Sequence, residues 1–179
     1  MRKTQAIFLF VATFAVLFTS CKKDDPVHEH DNEEIQSIKF TFTDENSKEQ
    51  VELSVNATDS KEKELILKKG GDYKLLINMY DFEGHEVTQE IKDDAEDHQF
   101  FFVGPTSDQV KFTYLDAQIG LASRWEIKQQ APAKPMNVVL MHGLNKQKVS
   151  PENWNSINYE SLGGGTKDIN VNVILTLKD

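Results

Sequence analysis

The sequence predicts an all-β fold, a single β-sandwich of immunoglobulin-like or Greek-key type, with about eight strands and one short helix. Short segments in which apolar and polar residues alternate recur from residue 35 to residue 179, with turn-forming residues between them. Such alternation is typical of strands that bury one face. Helical patterns do not alternate with these segments, and this argues against a doubly wound α/β fold.

The alternation predicts strands in residues 38–42, 51–55, 65–67, 73–80, 100–103, 110–115, 122–127, 137–141 and 169–177. Gly70 and Gly71 lie between the third and fourth segments, and they predict a hairpin because glycine tolerates the backbone angles of tight turns. The three phenylalanines at positions 100–102 are expected to form a core strand rather than a ligand platform.

One segment has a helical pattern instead. Residues 88–98, with the sequence TQEIKDDAEDH, are rich in helix-forming residues. Ile91, Ala95 and His98 are spaced at i, i+4 and i+7, so they would lie on one face of a helix. We therefore predict a single short helix here.

Residues 1–20 are predicted to be a lipoprotein signal peptide. Two basic residues precede an apolar run of 13 residues, which is short of the roughly 20 that a membrane-spanning helix needs. The run leads into LFTSC, which resembles a lipobox ending at Cys21. The alternative is an ordinary secretory signal and a free thiol, but no A-x-A-like cleavage site precedes the polar segment. We expect Cys21 to carry acyl chains that anchor the protein to a membrane.

Residues 21–34 are predicted to be a flexible acidic tether, because they contain too few apolar side chains to offset the entropy of ordering. The tether begins with a group of four charges, Lys22, Lys23, Asp24 and Asp25. This group resembles the export signal that directs Bacteroidota lipoproteins to the cell surface. A solvated linker explains the same charges equally well.

The remaining residues, 35–179, form one predicted domain. Its 145 residues are enough to bury about 68% of the unfolded surface. Without residues 1–20 the chain has 18 basic and 29 acidic residues, a net charge of −11. That charge argues against nucleic acid and anionic lipid as partners.

Four histidines are candidate metal ligands. His28 and His30 flank Glu29 in the tether, and a short His-rich tract is a compositional indication of metal binding, although a solvated linker explains it too. Capping of the predicted helix, with help from Asp94 four residues earlier, is enough to explain His98. Alternatively, His98 and His142 converge on a shared site for a transition metal or haem.

Each candidate enzyme motif in the sequence is incomplete or absent. HEVTQ at residues 85–89 lacks the second histidine of a zinc protease, and GGGTK at 163–167 lacks phosphate-loop spacing. A GxSxG elbow is absent, and the one thiol is assigned to acylation. The sequence therefore predicts a protein that is not an enzyme.

Several motifs together resemble a known group of proteins. These are CKKDD at 21–25, EDHQFFF at 96–102, IGL at 119–121, MHGLNK at 141–146 and GGGTKDINVNVIL at 163–175. They are similar to small Bacteroidota lipoproteins that are often labelled as having a type 1 periplasmic-binding fold. That label denotes a longer, two-lobed α/β fold, whereas the strand pattern predicts a sandwich. The resemblance implies a lipoprotein of the outer membrane, at the cell surface or the periplasmic face, working beside a TonB-dependent receptor.

Two functions follow as hypotheses. The first is a binding accessory that captures a metal, haem or siderophore, and it requires His and Met side chains that converge on a concave site. The alternative is a structural or interaction lipoprotein that contacts another envelope protein or a glycan without a small ligand. An exposed Trp154 would favour that alternative, whereas a buried Trp154 would be part of the packing.

Overall fold

Two β-sheets packed face to face make up the protein, which a computed structural model describes over residues 35–58 and 61–179. The predicted all-β sandwich is confirmed. The predictions for residues 1–34, which include Cys21, His28, His30 and the charges at 22–25, lie outside the described residues. Within the described residues, no helix is long and apolar enough to cross a membrane.

Nine strands and two short α-helices follow one another along the described chain. The strands are β1 Ser37–Asp44, β2 Gln50–Asn56, β3 Lys63–Lys68, β4 Asp72–Tyr80, β5 Gln99–Val103, β6 Val110–Tyr114, β7 Ala122–Ile127, β8 Ala131–His142 and β9 Thr166–Lys178. Helix α1 is Thr88–Asp93 and helix α2 is Tyr159–Gly163. Two 3₁₀ helices, Lys146–Lys148 and Pro151–Asn155, lie between β8 and α2.

The first sheet has the strand order β2-β1-β4-β7-β6, and all its neighbours are antiparallel. The second sheet has the order β3-β9-β8-β5, in which β3 and β9 are parallel. The predicted hairpin at Gly70 and Gly71 is therefore wrong, because β3 and β4 belong to different sheets. Alternation in a strand specifies which face is buried, but it does not specify the neighbouring strand.

The core lies between the sheets and contains a group of aromatic rings. Trp125 is fully buried and meets Phe42 edge-on at a centroid distance of 5.5 Å and Phe102 at 5.1 Å. Phe100, Phe101 and Phe102 are all inaccessible to solvent, which confirms the predicted core strand. Phe100 and Phe102 join the main core, whereas Phe101 belongs to a second, smaller cluster that also contains Val139, Met141, Leu144 and Val149.

A long connection, residues 143–165, joins β8 to β9; we call it the β8–β9 excursion. Its Leu144, Val149 and Leu162 contribute to the smaller cluster. Its second 3₁₀ helix contacts β5 and β6, which are edge strands of the two sheets. Trp154 in this 3₁₀ helix stacks on Phe112 of β6 at 4.8 Å. The excursion therefore closes the gap between the sheets along one side.

Helix α1 is shorter than predicted, since it ends at Asp93 and not at His98. Ile91 of the helix is fully buried, as its spacing indicated. Residues 94–97 leave the helix and lead directly into β5, which pairs with β8. Pairing between distant strands has outweighed the helical propensity of this segment.

Candidate metal centre

The ends of three neighbouring strands bring His98, His142 and Asp168 together. His98 immediately precedes β5, and His142 is the last residue of β8. Because Gln99 pairs with Met141 in the antiparallel register, His98 and His142 are the next cross-strand neighbours. Asp168 belongs to β9, the strand on the other side of β8.

A β-bulge brings Asp168 into this group. Leu140 pairs with Ile169 and Met141 pairs with Lys167, so Asp168 is an extra residue without a pairing partner on β8. An extra residue interrupts the alternation of faces and changes the direction of a side chain. The bulge therefore lets the Asp168 carboxylate reach the two imidazoles while Ile169 stays in the core.

The three side chains meet closely. The Oδ2 atom of Asp168 lies 3.4 Å from Nε2 of His98 and 3.5 Å from Nδ1 of His142. The two imidazole rings are stacked with a centroid distance of 4.5 Å and an angle of 22° between their planes. One donor atom from each residue lies within 4.8 Å of the other two. The side chains of His98, Asp168 and His142 are 1%, 2% and 17% exposed.

The carboxylate of Asp168 is unusual in its environment. Both of its oxygens are buried, and no described residue donates a hydrogen bond to either of them. Buried carboxylates are expensive to desolvate and normally have hydrogen-bond donors, a paired charge or a metal ion. This site therefore needs positive charge near Asp168, from a metal ion or a protonated imidazole.

The contact made by Nδ1 of His98 shows which nitrogen of the neutral ring carries the proton and which faces Asp168 without one. Nδ1 lies 3.0 Å from the backbone oxygen of Asp94, just beyond the end of α1. Because a carbonyl oxygen can only accept, Nδ1 carries the proton, and in neutral imidazole Nε2 is then an acceptor. If the imidazole is neutral, two acceptors face each other across 3.4 Å, so either a second proton on His98 or a metal ion between the two atoms would make this contact favourable. Metal-ligating histidines commonly have this second hydrogen bond to a backbone carbonyl.

The two hypotheses for His98 are thus compatible. The structure brings His98 and His142 together, and it also gives His98 a contact to a backbone carbonyl at the end of α1. Met141 does not join them, because its side chain is buried in the smaller cluster. Asp168 was missed from the sequence, since the bulge that redirects it depends on the pairing with β8.

Lys146 holds the turn that precedes His98. Its Nζ atom donates to the backbone oxygens of Ala95, at 2.5 Å, and Ala117, at 3.0 Å. Burial lowers the pKa of Lys146 to about 8, although three nearby carboxylates oppose this shift: Asp116, Asp97 and Glu96. The lysine thus connects the β8–β9 excursion to the turns before β5 and β7.

Two glycines, Gly143 and Gly165, are the first and last residues of the excursion, and both lie beside the site. Gly165 has a φ of +92°, and a Cβ atom there would lie 2.3 Å from the backbone oxygen of His142. The same Cβ would lie 3.2 Å from the carbonyl carbon of Gly143. Only glycine allows the two ends of the excursion to approach in this way.

A groove of about 750 Å³ lies elsewhere, between β6 and the second 3₁₀ helix. Phe112, Tyr114 and Trp154 contribute to its lining. Trp154 is only 3% exposed, so it belongs to the packing and does not form the exposed aromatic surface expected of an interaction protein.

Comparison with known proteins adds no relative to this description. No protein-family model matches the chain, and no curated protein matches it significantly. The fold and the site define the class by themselves: a β-sandwich protein with a buried His–His–Asp cluster at one end.

Proposed function

We propose that this protein is a metal-binding lipoprotein of the cell envelope that holds one divalent transition-metal ion between His98, His142 and Asp168. The observation that carries the proposal is the convergence of two imidazoles on a buried carboxylate that accepts no hydrogen bond from the described residues. A metal ion would satisfy the carboxylate and accept the lone pair of His98 Nε2 at once.

Zinc fits the donor set best. Zinc binds imidazole nitrogen and carboxylate oxygen at about 2.0–2.2 Å in tetrahedral geometry, so two of its ligand atoms are about 3.3–3.6 Å apart. The two imidazole-to-carboxylate distances, 3.4 and 3.5 Å, fall within that range, and all three donor atoms lie within 4.8 Å of one another. Copper(II) and iron(II) also accept such ligands, and they are the natural competitors.

Haem agrees less well with this arrangement. Two axial histidines approach a haem iron from opposite faces of the macrocycle, which separates the rings. Here the rings are stacked 4.5 Å apart, and a nitrogen of each approaches the same carboxylate oxygen. We therefore propose a bare ion, rather than haem or a siderophore, as the ligand.

The cellular role rests on the sequence. The lipobox-like LFTSC and the acidic segment after Cys21 support an outer-membrane lipoprotein, facing the cell surface or the periplasm. In this setting we propose a binding accessory, not an enzyme, that captures the ion beside a TonB-dependent receptor. The buried Trp154 removes the feature that would have favoured a purely structural or interaction role.

Zinc titration by calorimetry tests the proposal. The full chain in detergent should carry Cys21→Ser, which removes its one thiol. We expect one zinc ion per chain, and Asp168→Asn should weaken binding by more than the roughly 10–100-fold that loss of an outer-shell partner costs. His85→Ala is the matched control, because His85 is an exposed histidine paired with Asp81 in a different turn. Equal zinc affinity in the Asp168→Asn variant would refute the proposal.

The competing explanation is a protonated His98 that forms a purely structural ion pair with Asp168. Breaking a buried ion pair typically costs about 3–5 kcal/mol, with or without metal. If the site binds zinc, Asp168→Asn should instead lower the free energy of unfolding mainly when zinc is present. Denaturation of both proteins with zinc and with a chelator distinguishes the two explanations.

A further inference from the structure

We infer that the bound ion keeps one coordination position open, and that this position accepts a small monodentate donor from outside the cluster. The inference rests on the proposed function, because it assumes that the cluster holds a metal ion. Its first support is the number of ligands. Among residues 35–58 and 61–179, His98, His142 and Asp168 converge without a fourth His, Cys, Asp or Glu.

Three other donor groups in this part of the fold are engaged elsewhere. Met141, beside His142 in the chain, is buried in the smaller cluster on the other side of β8. The Lys146 amine is bound to two backbone oxygens. The backbone oxygen of Asp94 contacts Nδ1 of His98, whereas Nε2 of the same ring faces Asp168. This oxygen therefore lies on the opposite side of the imidazole from the carboxylate. Zinc with three protein ligands normally takes water or another ligand in the fourth position.

The burial of the three ligands shows where such a donor can enter. His98 and Asp168 are almost completely enclosed, whereas 17% of the His142 side chain is exposed. Gly143 and Gly165, which lie next to His142, have no side chains to cover it. We therefore expect a donor to approach from the side of His142, and the small exposed fraction of that side chain favours a small anion.

Cobalt(II) makes the open position visible, because its absorption bands respond to the number and type of ligands. The cobalt-loaded full chain with Cys21→Ser should be titrated with azide, beside the same chain carrying His28→Ala and His30→Ala, which removes the two tether histidines as competing ligands. A saturable change of the bands in both proteins supports a position open to external anions. A change only in the double variant supports a position that a tether histidine fills.

Bands that do not respond to azide in either protein, while cobalt still binds, overturn the inference and leave the proposed function standing. Failure to bind cobalt or zinc overturns both. Zinc transfer to a coloured chelator gives a second measurement. Its rate should rise with chelator concentration, because the chelator enters the open position before the ion leaves. A rate independent of chelator concentration contradicts the inference.

Discussion

At the scale of single residues, the negative charge of Asp168 and the missing side chain of Gly165 set the properties of the site. Asp168 supplies a carboxylate that is almost completely buried, with 2% of its side chain exposed. Gly165 lets the backbone pass within contact distance of the His142 carbonyl. Neither property can be read from a single sequence, because one depends on a bulge and the other on a close approach between distant segments.

Replacement of Gly165 by alanine should therefore be damaging. The new Cβ would collide with the His142 backbone, in addition to the strain of a positive φ, so we expect a loss of roughly 1–3 kcal/mol and weaker zinc binding. Gly84→Ala is the matched control, since Gly84 has a φ of +84° but open space where a Cβ would lie. Urea denaturation and calorimetry of both variants measure the difference. Equal losses would mean that the collision is relieved without cost.

Lys146 gives a pH-dependent prediction. Its pKa in the folded protein is about 8, below the ordinary value of 10.5, so between these values the unfolded chain binds more protons. The free energy of unfolding should therefore rise as pH increases from about 8 towards 10.5. Lys146→Met should remove this part of the rise, which urea denaturation at several pH values can measure. If the difference in the free energy of unfolding between the wild type and Lys146→Met stays constant across that pH range, the lowered pKa of Lys146 is wrong.

The histidines were easier to anticipate than their partner. The sequence placed His142 at a strand end and His98 at the end of a helix, just before the strand that contains Phe100. The hypothesis that they converge needed only that the two strands be neighbours. Asp168 stands in an equally clear strand, but regular alternation would place it on the opposite face from Ile169. The bulge overrides that expectation.

At the scale of secondary-structure elements, the β8–β9 excursion joins the two sheets along their edges. Its second 3₁₀ helix packs Trp154 against Phe112 and Trp125, which both belong to the first sheet. Residues of α2 and of the segment before it cover the smaller cluster on the second sheet. Asn155 adds a hydrogen bond of 2.8 Å to the backbone oxygen of Pro105. The excursion is therefore part of the packed domain and not a loose loop.

Truncation of Trp154 should be costly for this reason. Trp154→Ala should lower the free energy of unfolding by roughly 3–5 kcal/mol, because it empties a buried aromatic site. Ile157→Ala, three residues later and 79% exposed, should change it by less than about 0.5 kcal/mol. Chemical denaturation provides the comparison. A small loss for Trp154→Ala would show that the excursion contributes little to holding the sheets together.

Strand positions followed from alternation, whereas strand partners did not. Each predicted strand segment coincides with an observed strand, because burial of one face forces the period of two. The turn at Gly70 and Gly71 resembles a hairpin locally, yet Leu65 and Leu67 pair with Leu175 and Leu177, over one hundred positions away. Such pairing is a property of the complete core, which no local pattern contains.

At the scale of the whole molecule, zinc binding should stabilise the domain by mass action. A ligand that binds only the folded state at one hundred times its Kd contributes about 2.7 kcal/mol. For a chain of this size we expect an increase in Tm of about 5–10 °C. Calorimetric melting with zinc and with a chelator measures the shift, and the Asp168→Asn variant should show little of it. A similar shift in that variant would place the zinc elsewhere.

Membrane attachment is a second prediction for the whole chain. If Cys21 is acylated, the wild-type protein should separate with the detergent-rich phase and with membranes, because two or three acyl chains anchor a protein stably. Cys21→Ser should move it to the aqueous phase when it is expressed in a bacterium that acylates lipoproteins. Mass spectrometry of the N-terminal peptide gives an independent check. Attachment that persists in the variant would disprove the anchor.

The bulge at Asp168 has a consequence for how such a site arises. Without this one residue, Lys167 and Ile169 would be adjacent, and the pairing of β8 and β9 would lose the shift beside the histidines while keeping the one between Ala131 and Lys134. The two histidines would then remain as a stacked pair at the end of a regular sheet, with no carboxylate between them. A single inserted residue would thus separate a sandwich with a pair of histidines from one in which a carboxylate joins them.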